Sequence, residues 1–415
     1  MSYRSGPAMR LATVGAVLAA VVLGGTPAAV GAVPHTREAA PPPAEPPPPP
    51  DMSSLGGARL AQPGVQADLP PGTPPLPAVD AYSWLVADVT SGQILAAKNP
   101  HWKLAPASTL KTLFADTVLP KLDRDATHTV TVEELEGLGA GSSAVGVKEN
   151  LTYRVEDLWN GVFLQSGNDA VRVLCHMNGG VEATVAEMNT RAKTLQGLDT
   201  QVVSPDGYDA PGQVSSAYDL ALFSREGLKN PDFRTYAARQ EAQFPGKDNT
   251  TFGISNTNTM LRTYPGMIGV KNGYTTNAKN TFVGAATRDG RTLMVSIMRV
   301  GTKGTIYDFT RQLLDWGFAN ARTAKPVGEL VDPIGPDHDE NGPDASPPPA
   351  PEPSPQPAMP VVENAGSSQG GGVDWGLWAG AGIPAVLLVS GTTVFLIRRR
   401  GWSRPTVYFD DDIVP

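Results

Sequence analysis

Apolar residues recur in two periods along the middle of the chain, and the period changes twice. Residues 82–89 and 93–97 are short aromatic and branched runs separated by Thr90-Ser91-Gly92, a spacing that predicts a hairpin. From 103 to 115 apolar side chains fall on nearly every face of a helix that Pro106 suits at its start, which predicts a buried central helix. Residues 129–132 read as a short strand and 139–146 as a Gly/Ser loop. Helical spacing then holds over 155–164, 169–177, 181–195 and 216–227, with breaks at Gln165-Ser166-Gly167-Asn168 and Gly179-Gly180, and with Ser215 or Ser216 available as a cap for the last. Strand character returns after Phe244. Residues 267–271, 281–287 and 292–300 read as strands, the last two joined through Arg288-Asp289-Gly290-Arg291, and an amphipathic helix over 307–318 closes the region. Strands at both ends with helices between them predict an α+β fold, an antiparallel sheet with flanking helices and an inserted helical lobe.

Composition changes the picture at the two ends of the 415-residue chain, where proline and glycine are concentrated. Residues 1–32 carry Arg4 and Arg10, an apolar run from Leu11 and small residues ending at Ala32, the layout of a signal peptide. Residues 33–78 read as a Pro-rich linker, so the fold is expected to begin near Ala81 and to occupy 79–332. A second linker rich in Pro, Gly and Ser follows over 333–373. Residues 374–397 are charge-free from Trp375 onward and are followed by Arg398-Arg399-Arg400. That arrangement predicts a single transmembrane helix in the cell membrane, with the central domain outside and the tail 398–415 in the cytoplasm.

Charge and rare residues narrow the chemistry. A net charge of −8 with no Lys/Arg block in the central region argues against nucleic acid as a partner. The five histidines, His35, His101, His128, His176 and His338, show no metal-ligand spacing, so neither a metal nor another cofactor is expected. Cys175 is the only cysteine, which excludes an intrachain disulfide and reads as a buried, inert thiol.

Three short motifs remain. Ser108 and Lys111 stand one helical turn apart on one face, so the hydroxyl and the amine can approach each other. Serine becomes a nucleophile only when a base takes its proton, and lysine is that base only where burial or a nearby cation keeps its amine neutral. Ser166-Gly167-Asn168 offers a hydroxyl and an amide on a tight turn between two helices. Lys271-Asn272-Gly273 presents a second cation at the end of a strand. Each motif alone is an ordinary helix face, cap or turn; their order and local structure together suggest one site.

In that order the motifs resemble the Ser-x-x-Lys, Ser-x-Asn and Lys-Thr-Gly signature of penicillin-binding proteins and serine β-lactamases. The similarity extends through Pro106-Ala107, Val155-Glu156-Asp157-Leu158, Asp169-Ala170, Asn189-Thr190-Arg191-Ala192, Ser216-Ala217-Tyr218-Asp219-Leu220-Ala221, Tyr264-Pro265-Gly266, Gly269-Val270 and Tyr274-Thr275. On this basis residues 81–332 resemble the low-molecular-mass D-alanyl-D-alanine carboxypeptidases, peptidase family S11. The resemblance implies that Ser108 attacks the carbonyl between two terminal D-alanines of a peptidoglycan stem peptide and forms an acyl-enzyme, with Lys111 as its base. It implies that Ser166 relays protons, Asn168 holds the substrate amide, and Lys271 keeps Lys111 neutral and helps bind the substrate carboxylate. Asn272 and Gly273 complete the third motif, and the backbone N–H groups of Ser108 and Tyr274 form the oxyanion hole. β-Lactams are the implied inhibitors.

The chain departs from the family pattern in several places. Asn272 stands where threonine is usual, and Lys279 where glycine is expected. Many relatives carry a β-sandwich after the catalytic domain, which is not expected here. No glutamate lies around Ser204-Pro205-Asp206-Gly207-Tyr208-Asp209 to activate a deacylating water, so slow release of penicillin is expected. The alternative reading is a catalytically attenuated, membrane-tethered homologue that binds peptidoglycan or regulates a partner.

Overall fold

The computed structural model describes residues 47–335. The expected signal peptide, transmembrane helix and cytoplasmic tail lie outside the described residues. Among the described residues no helix is long and apolar enough to cross a membrane.

The elements, in chain order, are β1 (Val65–Ala67), β2 (Ala81–Asp88), β3 (Gln93–Lys98), α1 (Lys111–Val118), β4 (Thr127–Thr129), β5 (Thr152–Arg154), α2 (Val155–Leu164), α3 (Asn168–Met177), α4 (Val181–Thr194), α5 (Ala217–Gly227), α6 (Pro231–Ala238), β6 (Glu241–Pro245), β7 (Thr251–Ser255), α7 (Met260–Thr263), β8 (Met267–Thr275), β9 (Lys279–Arg288), β10 (Arg291–Val300), α8 (Ile306–Asn320) and β11 (Gly328–Glu329). The main sheet runs β1-β3-β2-β10-β9-β8, with β11 also on β3, and every pairing in it is antiparallel. The expected α+β architecture is therefore present, with the helices α1 to α6 between the two halves of the sheet sequence.

The sheet is buried on both faces, and the two-residue period of its strands sorts them. Leu85 and Ala87 of β2, with Val283 and Ala285 of β9, face a core shared with α1, α2, α3 and α5. Trp84 and Val86, with Phe282 and Ala286, face α8 through Phe309, Leu313 and Leu314. The β9–β10 hairpin turns on Asp289 and Gly290, with φ values of 50° and 76°, which is the reason Asp-Gly is favoured there. Ser216 caps α5, its Oγ accepting from Asp219 N at 3.1 Å.

The expectation that residues 33–78 are all spacer is corrected. β1 pairs with β3, Leu60 is fully buried, and Gly64 N donates to Asn99 Oδ1 at 2.7 Å. Leu69, Leu76 and Val79 pack on the α8 side of the sheet. The proline content of the segment hid single apolar residues spaced for contact with an existing sheet edge. Helix α6 and the β6–β7 hairpin are also absent from the sequence reading, and the strand expected at 129–132 lies two residues earlier, in β4.

Candidate active site

The nucleophile segment is gripped from two sides before any side-chain chemistry begins. Ala107 has a φ of 51°, a left-handed conformation that costs a residue with a Cβ about 1–2 kcal/mol. A 3-10 turn over Ala107–Leu110 follows and runs straight into α1, so Ser108 sits at the junction, one turn before the buried helix. Gly207 approaches so closely that a Cβ there would lie 1.9 Å from Ala107 O, and a Cβ on Gly273 would lie 2.6 Å from Ser108 N. Both positions need glycine for this approach. Thr281 completes the grip from β9, its Oγ1 donating to Pro106 O at 2.9 Å.

Lys111 is 1% exposed, and its ammonium is wholly spent on three oxygens. It donates to Ser108 Oγ at 2.8 Å, to Asn168 Oδ1 at 2.7 Å and to Asp206 O at 2.7 Å. Burial lowers its pKa from 10.5 to about 8, against the pull of Asp206 and Asp169 in the other direction. Lys271 is equally buried but has fewer partners, Asn272 O at 2.8 Å and Asn272 Oδ1 at 3.5 Å. Burial, and after it the neighbouring Lys111, hold Lys271 well below the ordinary lysine value. Burial is the largest cause of both shifts, and the two ammonium groups repel each other, so each favours the neutral form of its neighbour.

The second motif is set by the α2–α3 junction. Ser166 takes a φ of 58°, and its buried hydroxyl has no hydrogen-bond partner among the described residues. Asn168 starts α3, holds Lys111 through Oδ1 and donates from Nδ2 to Ser142 Oγ at 3.2 Å. The next residue, Asp169, accepts from the backbone N–H groups of Val145, Gly146 and Val147 at 2.8–3.0 Å and so ties down the Gly/Ser loop.

These pieces surround a cleft of about 240 Å³ lined by Ser108, Ser142, Asn168, Tyr208, Asp209 and Tyr274, among others. Tyr274, at 64% exposure, stands at its mouth beside the strand end that Gly273 presses against the Ser108 amide. Of the third motif, Asn272 is directed to its own surroundings: its Oδ1 accepts from Thr257 Oγ1 at 3.2 Å, and its side chain also bonds the Tyr307 hydroxyl. Of the expected site residues, Ser108, Asn168 and Tyr274 line the cleft, whereas Lys111, Ser166, Lys271, Asn272 and Gly273 do not. Lys279 adopts a φ of 57°, which is why glycine was the expected residue there.

Several residues of the site escaped the sequence reading: Asp206, Tyr208 and Asp209 in one turn, Ser142 in the Gly/Ser loop, and Thr281. The only signal for the turn was Ser204-Pro205-Asp206-Gly207, which reads as a generic turn. Elsewhere, His101, Asp199 and Asp219 bring possible metal-ligand atoms together. Several of their polar atoms are engaged with protein groups, His101 Nδ1 lying 2.7 Å from Asp199 Oδ2 and Asp219 Oδ2 accepting from Asp199 N at 2.8 Å, while the buried Asp219 Oδ1 has no hydrogen-bond partner among the described residues. Burial, and next Asp199, push the Asp219 carboxyl up to about 8. Cys175 is buried, and that burial pushes its thiol up to about 12, in keeping with an inert group.

An antiparallel sheet with a helical lobe, a serine at the head of a buried helix and a lysine of lowered pKa against its hydroxyl define the class of serine acyl-transfer enzymes with a penicillin-binding fold. The sequence profile of the D-alanyl-D-alanine carboxypeptidases, peptidase S11, matches residues 71–302, and the chain belongs to that family. The D-alanyl-D-alanine carboxypeptidase DacB2 of Mycobacterium tuberculosis is 42% identical over 255 residues, spanning 60% of this chain and 86% of that protein. The crystal structure of a D-alanyl-D-alanine carboxypeptidase from the same organism superposes with a TM-score of 0.59 at 41% identity, over 63% of this chain and 99% of that one. The Streptomyces K15 DD-transpeptidase matches with a TM-score of 0.57 at 26% identity, over 59% of this chain and 100% of its own.

Proposed function

We propose that the protein removes the terminal D-alanine from peptidoglycan stem peptides through an acyl-enzyme on Ser108. The observation that carries this reading is the 2.8 Å contact between Ser108 Oγ and a buried Lys111 whose pKa is lowered to about 8. At that value about a tenth of Lys111 is neutral at pH 7, enough to serve as a resident base. Lys111 takes the Ser108 proton as Oγ bonds to the carbonyl carbon. The oxyanion meets the N–H groups of Ser108 and Tyr274, donors of a kind worth about 3–4 kcal/mol. The C–N bond then breaks, and the amine of D-alanine leaves with a proton. Water attacks the resulting ester and returns the proton to Ser108. Asn168, held by Lys111, faces the cleft where the substrate amide would lie, and Lys271 donates toward the terminal carboxylate, whose negative charge favours its protonated form against the effect of burial.

β-Lactams acylate the same serine in this reading, and the absence of a glutamate in residues 204–209 supports slow release of the adduct. The regulatory alternative is not favoured, because the nucleophile and base are assembled in bonding contact. Release of D-alanine from a peptide ending in D-Ala-D-Ala tests the reading. Turnover that disappears in Ser108→Ala supports it; absent turnover in both the parent and Asn272→Thr would sink it. The charge-free run from Trp375 and the three arginines after Ile397 support a membrane-tethered protein with this domain outside. Protease digestion of the domain on intact protoplasts tests that placement, and protection would refute it.

A further inference from the structure

The β8–β9 turn of the cleft wall is held partly by its own bond from Ala278 N to Thr275 Oγ1, at 3.1 Å, and partly by other elements. It ends on Lys279, in the left-handed region that glycine adopts freely. Three hydrogen bonds reach it from other elements. Thr275 Oγ1 donates to Asp209 Oδ1 at 2.7 Å, Asn277 N donates to Asp209 Oδ2 at 3.0 Å, and Arg299 Nη1 donates to Asn277 O at 2.9 Å. Asp209 thus spends both carboxylate oxygens on the turn, and it bonds the residue next to Tyr274. It is also the one carboxylate among the residues lining the cleft.

The turn that carries Asp209 is itself fixed to the other walls. Asp206 O accepts from Lys111 at 2.7 Å. Asp206 Oδ1 accepts from Ser204 Oγ at 2.6 Å and from Tyr208 N at 2.9 Å, and the Tyr208 hydroxyl donates to Ala140 O at 2.8 Å. One short turn therefore touches the base, the Gly/Ser loop and the strand end beside the nucleophile.

We infer that Asp209 is a positioning residue: it clasps the β8–β9 turn to the turn that holds Lys111, and so fixes the Tyr274 N–H relative to Ser108. The inference rests on the function proposed above. Without the clasp, Thr275 and Asn277 lose their partner across the cleft, and the end of β8 no longer holds the Tyr274 amide in one place. The groups that bind an unreacted ligand stay where they are.

The test is acylation of the full chain by a fluorescent penicillin, read as a dissociation constant for the first complex and a rate constant for the covalent step. Asp209→Ala is expected to lower the rate constant about tenfold and change the dissociation constant less than about twofold, as befits a displaced oxyanion donor. Thr275→Val removes one of the two clasp bonds, leaving Asn277 N on Asp209 Oδ2, and is expected to give a smaller loss in the same rate constant, with the double variant within about twofold of Asp209→Ala. Lys279→Gly in the Asp209→Ala background is expected to restore part of the rate, since the turn then holds its shape unaided. Losses that multiply in the double variant, a loss confined to the dissociation constant, or a parent-like rate in Asp209→Ala would each overturn the clasp. A parent that forms no adduct contradicts the proposed function itself, which separates the two failures. Should Asp209→Ala not fold, Thr275→Val alone decides: an unchanged rate constant overturns the inference.

Discussion

Lys111 at the head of α1 and Lys271 in the middle of β8 are both about 1% exposed, yet the protein treats them differently. Lys111 meets three oxygens from three separate segments, and two nearby carboxylates offset part of its burial. Lys271 meets only oxygens of the next residue and faces the charge of Lys111. Burial sets the direction of both shifts. The number and sign of the partners then decide which lysine titrates near working pH and which is held far below its ordinary range. The lesson is that a buried lysine acquires its role from what surrounds its nitrogen, and those surroundings come from distant parts of the chain.

Breaking the Lys111 side of the comparison has the largest expected effect. Ser108→Ala and Lys111→Met are each expected to lower D-alanine release on the order of 10⁴-fold, because nucleophile and base act as a unit. The same Lys111→Met is expected to remove a pH dependence of stability. Between about pH 8 and 10.5 the unfolded chain holds the Lys111 proton that the folded chain has released. The unfolded state then binds more protons, so the parent's stability rises with pH across that window. The methionine variant loses this dependence, measured by denaturant titration at several pH values. A variant that keeps the parent's rise in stability between about pH 8 and 10.5 would contradict a lowered Lys111 pKa as its source.

Lys271→Met is expected to cost roughly a hundredfold in kcat/KM, as for loss of one electrostatic contact to a developing or terminal charge. Because burial is the largest cause of the Lys111 shift, the pH profile of the surviving activity is expected to stay near 8, rising by less than about one unit as the repulsion between the two amines is lost. A rise of more than a unit would show that Lys271, rather than burial, is the main cause of the lowered Lys111 pKa. Asn272→Thr sharpens the comparison least. Its shorter side chain gives up the contact with Thr257 and leaves a hydroxyl for the substrate carboxylate, and a rise of about twofold to fivefold in turnover is expected.

Much of this contrast was legible in the sequence. The apolar faces of residues 103–115 and the Ser108–Lys111 spacing gave the buried helix and its pair, and Asp289-Gly290 gave a hairpin whose φ values match the turn. These signals are local: a period, a cap or a turn is written within a few residues. What was missed is non-local. Asp206 contributes a backbone carbonyl, Thr281 a hydroxyl aimed 175 residues back to Pro106 O, and Asp209 a carboxylate aimed 66 residues onward to Thr275. Nothing at those positions distinguishes them from ordinary turn or strand residues until the fold brings them together. The segment before Ala81 failed for a related reason: Leu60 and β1 acquire their place from an edge of β3 that local patterning does not reveal.

The most direct test of Lys111 as the base is the pH dependence of Ser108 acylation by penicillin, with the adduct mapped by peptide mass spectrometry. The expected result is a single adduct on Ser108 whose formation rate rises with pH through about 8, the value at which the buried Lys111 sheds its proton. A rate that is flat between pH 6 and 9.5, or an adduct on another residue, would contradict the account of Lys111 as the neutral base and Ser108 as its nucleophile.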